Sequence, residues 1–95
     1  MDKYKYLRSK YPDRIPVLVD GIKMDKIKYL VPIDFTIGQF MYVIRRKINL
    51  KPEQAIYCMI KYEKCSVIPR HSDLVSQYHR NDYVRIYFNY EATFG

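Results

Sequence analysis

The stretch DFTIGQFMYVIRRKI, from Asp34 to Ile48, decides the fold class. Ile37, Phe40, Ile44 and Ile48 recur at spacings of three and four, with Met41 and Tyr42 beside them, which predicts a helix with one apolar stripe. Thr36 stands where an N-cap belongs, and Gln39 follows three residues later as its capping-box partner. Arg45, Arg46 and Lys47 crowd the last turn, where positive charge complements the helix dipole.

Working back from this helix, IKYLVPI alternates Ile27, Tyr29 and Val31 with Lys28, Leu30 and Pro32. RIPVLVD before it alternates Ile15, Val17 and Val19 with Pro16, Leu18 and Asp20. Two such runs joined across a polar link, GIKMDK, predict an antiparallel hairpin. Pro16 has no N–H to give to a ladder, so one side of the first strand is expected to be irregular there. Upstream, Tyr4, Leu7 and Tyr11 mark a helix of barely two turns within residues 1–13, and Pro12 ends it. So short a helix needs a surface to dock on.

Downstream, AIYCMIKY reads as a third strand between turns at Pro52-Glu53 and at Tyr62-Glu63-Lys64. Ser72 is expected to cap a short helix, DLVSQYH, and YVRIYFNY follows the Asn81-Asp82 turn as a fourth strand. The order is strand, strand, helix, strand, short helix, strand. That order predicts an α+β fold, a ubiquitin-like β-grasp: a four-stranded mixed sheet packed on a central helix, with a short N-terminal helix in front. Its first and last strands should pair in parallel at the centre. A ferredoxin-like or small RNA-binding fold is the alternative, but its helix should come after one strand rather than two. The expected divisions are a helical segment at 1–13, the domain at 14–89 and a tail at 90–95.

Composition bounds the function. The chain has 95 residues, and a domain of that size buries only about 60–65% of its unfolded surface. No run approaches the roughly 20 apolar residues of a membrane-spanning helix. Two cysteines allow at most one bridge, so a secreted disulfide scaffold is not expected, and a cytosolic or nuclear setting is. Cys58, Cys65, His71 and His79 match no zinc spacing, the carboxylates are scattered, and no glycine loop cradles phosphate. No enzyme, no metal and no cofactor is expected. Cys58 reads as a core filler and Cys65 as a loop thiol.

Seventeen Lys+Arg against ten Asp+Glu give +7, and residues 1–50 hold +6 of it. Such a field suits nucleic acid, acidic peptides or anionic membranes. Eleven tyrosines interleaved with these cations resemble a stacking platform for single strands, but most fall at strand or helix-stripe positions, where packing accounts for them. The hairpin is more informative. Pro16, Leu18, Lys28 and Leu30 fall on the strand faces opposite Ile15, Val17, Tyr29 and Val31. One set must face the helix, leaving the other as an apolar strip rimmed by lysine unless the N-terminal segment covers it. A strip of that kind beside a sheet edge suits strand addition by a partner peptide.

RIPV at Arg14–Val17, KYLVP at Lys28–Pro32, DFTIGQFMYVIRRKI at Asp34–Ile48 and the closing TFG resemble the autophagy ubiquitin-like modifiers, the Atg8/LC3/GABARAP family. The resemblance covers residues 11–61 and 83–95. It implies conjugation by E1-like and E2-like enzymes, through a C-terminal glycine, to phosphatidylethanolamine on autophagic membranes. It also implies recruitment of cargo receptors and adaptors through acidic-flanked aromatic-x-x-aliphatic motifs, by a protein that is a monomer in solution and binds no specific nucleic acid. Its setting would be the cytoplasm, the autophagosome and, downstream, the vacuole or lysosome. Carried over position by position, Gly95 matches the conjugated glycine. Pro16, Leu18, Lys28, Leu30 and Tyr83 are similar to the pocket for the aromatic anchor, with Tyr83 in place of the usual phenylalanine. Tyr29, Val31, Pro32, Phe35, Phe40, Val43 and Lys47 are similar to the pocket for the aliphatic anchor. Thirteen residues precede RIPV where the family carries two helices, so the resemblance implies a shortened extension. A non-conjugated β-grasp interaction module is the competing reading, and a single-stranded nucleic-acid-binding domain the third.

Overall fold

The computed structural model describes residues 3–21, 24–49, 51, 53–80 and 82–90. Helix α1 (Lys3–Lys10) leads into strands β1 (Arg14–Gly21) and β2 (Met24–Pro32), then helix α2 (Ile37–Lys47). Strands β3 (Ile56–Lys61) and β4 (Ser66–Val67), a 3₁₀ turn (Val75–Tyr78) and strand β5 (Val84–Tyr90) complete the order. The strands form one sheet in the order β2-β1-β5-β3-β4. β1 and β5 run parallel in the middle, and the other pairs are antiparallel.

The expected β-grasp architecture is present, with five strands rather than four. The added β4 is two residues long, pairing Ile60 with Val67 and Lys61 with Ser66. Two residues carry no readable alternation, so nothing in the local pattern could announce it.

The register explains which residues are buried. Ile15, Val17 and Val19 of β1, Val84, Ile86 and Phe88 of β5, and Ile56, Cys58 and Ile60 of β3 share the face under α2 and form the core. α2 answers with Ile37, Phe40, Met41 and Ile44. Each such aliphatic or aromatic side chain contributes about 1.5–3 kcal/mol on burial. Phe40 locks the two layers, edge-on to Tyr29 at 5.6 Å and tilted against Phe88 at 6.2 Å. The capping box closes α2 as expected: the Gln39 N–H donates to Thr36 Oγ1 at 3.1 Å, and the Thr36 N–H donates to Gln39 Oε1 at 2.8 Å. Ile48 serves as the C-cap, so the helix ends one residue before the apolar pattern does.

Among the described residues, Gly21 is the position whose backbone requires glycine. Its φ is +124°, and a Cβ there would lie 2.0 Å from the Phe88 carbonyl oxygen. The β1–β2 register also shifts between Val19 and Gly21, a bulge at the end of the hairpin. Gly21 pairs with Met24, so β2 starts earlier than the polar link suggested. Pro16 avoids a wasted bond by its place: the β1–β5 ladder begins at Val17, one residue later.

The segment expected as a second short helix takes another form. Its backbone groups bond to the start of α2 instead: Ile37 N–H donates to Asp73 O, Gly38 N–H to His71 O, and Val75 N–H to Phe35 O. Ser72 does not cap it; the Asp73 carboxylate accepts from the Arg70 N–H, and Gln77 Oε1 accepts from the Leu74 N–H. With those donors committed elsewhere, only four residues of 3₁₀ helix remain.

Tyr90 belongs to β5, opposite Ile56, so the sheet continues one residue past the expected boundary. The tail beyond it, with Gly95, lies outside the described residues, as do Pro52, Asn81, the 22–23 link and the Tyr4 side chain.

Candidate functional site

β2 is an edge strand, and α1 packs beside it on β1. The expected site residues sort onto two sides of this edge. Opposite residues in a ladder share a face, and Pro16↔Leu30 and Leu18↔Lys28 are such pairs. Leu18 in turn neighbours Arg85 of β5, and Tyr83 precedes that strand on the same side. These residues face away from α2. Leu18, Leu30 and Tyr83 are half-buried and Lys28 is exposed, so they make an accessible surface. Pro16 does not line it: Pro16 is fully buried, and α1 supplies the cover on that side. The N-terminal segment therefore covers one end of the apolar strip and leaves the other open.

The second group lies on the α2 side. Tyr29 pairs with Val17 and Val31 with Ile15, both core residues. Val31 and Phe40 are only 3% and 2% exposed, so they support this side from below rather than line it. The accessible surface is made by Tyr29, Pro32 and Phe35, each half-buried, with exposed Val43 and Lys47 one and two turns along α2 from Phe40. Tyr29 carries an unusual cost. Its hydroxyl oxygen is sealed from solvent and has no hydrogen-bond partner, and desolvation raises its pKa. An orphaned buried hydroxyl costs about 1–3 kcal/mol.

Arg14, which the sequence did not single out, reaches across the hairpin and donates from Nη1 to the Leu30 carbonyl at 3.3 Å. Among the described residues two cavities open besides these surfaces, the second sharing Tyr83 with the side facing away from α2. One of about 570 Å³ opens between α2 and β3, among Met41, Tyr42, Arg45, Ile56, Ile68 and Pro69. The other, of about 580 Å³, opens where the β3–β4 turn faces the start of β5, among Lys61, Tyr62, Lys64, Arg80, Tyr83 and Arg85. Neither was expected. The second draws cations from three separate stretches, and only the outward positions of Lys61 and Arg85 on their strands hinted at it.

Cys58 is buried, and desolvation pushes its thiol up to about 11, which leaves it inert at neutral pH. Cys65 is exposed. Among the described residues, no three His, Cys, Asp or Glu side chains gather as a metal site, and no helix is long and apolar enough to cross a membrane.

A parallel β1–β5 pair at the centre of a mixed sheet, with one long helix across its face, defines a ubiquitin-like β-grasp protein. A crystal structure of Trypanosoma brucei ATG8 shares this fold with a TM-score of 0.72, covering 97% of this chain and 85% of that one at 24% identity. The family described as Autophagy protein Atg8 ubiquitin like matches residues 1–95. Autophagy-related protein 8d of Arabidopsis thaliana is 40% identical over 100 aligned residues, covering 94% of this chain and 80% of the relative. Autophagy-related protein 8 of Schizosaccharomyces pombe is 42% identical, covering 94% and 79%. The chain belongs to the Atg8 family. Its members are ubiquitin-like modifiers of autophagy rather than enzymes, and membership implies a cytoplasmic and autophagosomal setting.

Proposed function

We propose that this protein is conjugated through Gly95 to phosphatidylethanolamine and recruits proteins that carry an acidic-flanked aromatic-x-x-aliphatic motif. The observation that carries the recruitment reading is the open β2 edge with an accessible apolar surface on each side. Successive side chains of an extended peptide point to opposite faces, so residues three apart also point oppositely. A peptide added as a strand along β2 therefore sends its aromatic anchor toward Leu18, Leu30 and Tyr83. Its aliphatic anchor, three residues later, goes toward Tyr29, Phe35 and Val43. Main-chain hydrogen bonds to β2 supply affinity, and the two surfaces supply specificity. Lys28 and Lys47 lie on opposite sides of the edge and suit acidic flanks.

Conjugation rests on family membership and on the match of Gly95 to the family's conjugated glycine. Activation with ATP, transfer to thioesters on the E1-like and E2-like enzymes, and attack by the lipid amine would leave an amide at Gly95. The absence of a Cβ keeps each attack on that carbonyl uncrowded.

The test is incubation with the family's activating and conjugating enzymes, ATP and phosphatidylethanolamine liposomes, followed by intact mass. A lipid adduct on the wild-type chain, lost on deletion of Gly95, is expected. No adduct on wild type would leave a non-conjugated interaction module as the reading.

A further inference from the structure

The cleft between the β3–β4 turn and the start of β5 is chemically unlike the β2 edge. Lys61, Lys64, Arg80 and Arg85 line it against the single carboxylate of Glu63. No ion pair with a described carboxylate neutralises these four cations. Two of them are held by rings instead: the Arg80 guanidinium lies 4.4 Å from the Tyr62 centroid, and Lys61 Nζ lies 5.2 Å from that of Tyr87. Such stacking fixes a cation's position and leaves its N–H groups free to donate at the edges. We propose that this cleft binds a cluster of oxyanions, phosphate or carboxylate, on a segment of the partner protein that precedes the aromatic anchor of its motif. The proposal rests on the docking reading above for the partner's identity, but not for the chemistry of the cleft.

Continuity favours this occupant. Tyr83 belongs both to the cleft and to the aromatic surface, and Arg85 neighbours Leu18. From Leu30 on β2 to Lys61 on β3 the path crosses three strand spacings and shifts by two residues along the strands, about 16 Å. An extended chain covers that in roughly four or five residues. The aliphatic anchor follows the aromatic one along β2, so the segment free to cross the sheet is the one before the aromatic residue.

Two other occupants, a membrane held by the tail and single-stranded nucleic acid, fit less well. The cleft sits at the Val84 end of β5, whereas the chain leaves for Gly95 from the Tyr90 end, about 20 Å away along the strand. The cleft therefore lies at the other end of β5 from the strand end that leads to Gly95. Single-stranded nucleic acid needs open aromatic faces. Here the Arg80 guanidinium already occupies one face of the Tyr62 ring.

Isothermal titration of the full chain tests the assignment with three peptides: the bare motif, the motif with two phosphoserines five residues before the aromatic, and the motif with two glutamates there. At low salt at least one cluster should tighten binding by about tenfold, and the gain should shrink as salt rises. The double substitution Lys61→Glu/Lys64→Glu should abolish the gain and leave the bare motif's affinity and the thermal midpoint unchanged. Placing lysines in the peptide cluster should restore the gain on that variant. Arg85→Gln, a milder change, should lose part of the gain. A gain that survives both variants overturns the proposal, as does the lack of any gain. Anionic vesicles or oligothymidine binding more tightly through the same lysines also overturn it. If the bare motif fails to bind, the docking reading falls, and a cluster peptide lacking the motif tests the cleft alone. Its retention by wild type and loss on Lys61→Glu/Lys64→Glu would still assign the site.

Discussion

The two edges of the sheet are built to opposite specifications. β2 presents nine residues, Met24–Pro32, at one edge, and β4 presents two, Ser66–Val67, at the other. A long edge is a template for another strand, and proteins commonly shorten or charge their edges to prevent pairing. β4 is blunted by length, with Lys64 close before it. β2 keeps its length, with an accessible apolar surface on each side and Lys28 at the rim. The difference shows that one edge is closed to strangers and the other left open for a strand with matching side chains.

The largest expected effect tests how β2 is held to the sheet. Gly21→Ala forces a Cβ into the Phe88 carbonyl at a positive φ, and should cost roughly 3 kcal/mol or more in urea unfolding. If stability changes by less than about 1 kcal/mol, the hairpin end is not anchored as described. Next comes the contrast between edges. Leu30→Ala should weaken motif-peptide binding by about 2 kcal/mol in titration calorimetry, and Val67→Ala on β4 should leave it unchanged. Equal losses at both edges would show that the peptide does not choose β2.

A smaller effect sharpens the account of the open edge. Tyr29→Phe removes the unpartnered hydroxyl and should raise folding stability by about 1 kcal/mol. A loss of stability would mean that the hydroxyl has a role in the free protein. The smallest effect concerns pH, on the segment that ties β4 to α2 and β5. Hydrogen bonds from the Tyr78 hydroxyl and the Arg70 N–H hold the Asp73 carboxyl below its usual range. Its folded pKa is depressed, so its stabilisation is present above the ordinary carboxylate pKa and is lost as pH falls through the lowered value. The same bond pushes Tyr78 up to about 12. Tyr78's contribution is complete below tyrosine's ordinary pKa of about 10 and is lost as pH rises through 12. Tyr78→Phe should flatten the stability profile at both ends in thermal melts across pH. An unchanged profile would sink this assignment.

The fold was legible where local chemistry dominates. The α2 stripe, its Thr36–Gln39 box and the alternation of β1 and β2 are carried by neighbours in sequence. The 3₁₀ turn was misread as a capped helix because its donors go to Phe35 and its acceptors to Ile37 and Gly38, bonds with no local signature. The site was legible in part. Residue alternation placed Leu18, Lys28 and Leu30 together. It did not show that α1 covers Pro16, or that Val31 and Phe40 sink into the core.

Charge marks the same division. Residues 1–50 carry +6 and residues 51–95 carry +1, so by count the positive field belongs to the half that holds the hairpin. Four of the six cations in the second half nevertheless meet in one cleft. By itself the sequence determined α2, the β1–β2 hairpin, the strands β3 and β5, the Atg8-type pattern and the two faces of β2, because periodicity and capping act over a few residues. Only the tertiary structure decided which edge stays open, which expected pocket residues are buried, and where Lys61, Lys64, Arg80 and Arg85 converge. Those outcomes depend on β1 and β5 pairing across most of the chain, and no local pattern records such a contact.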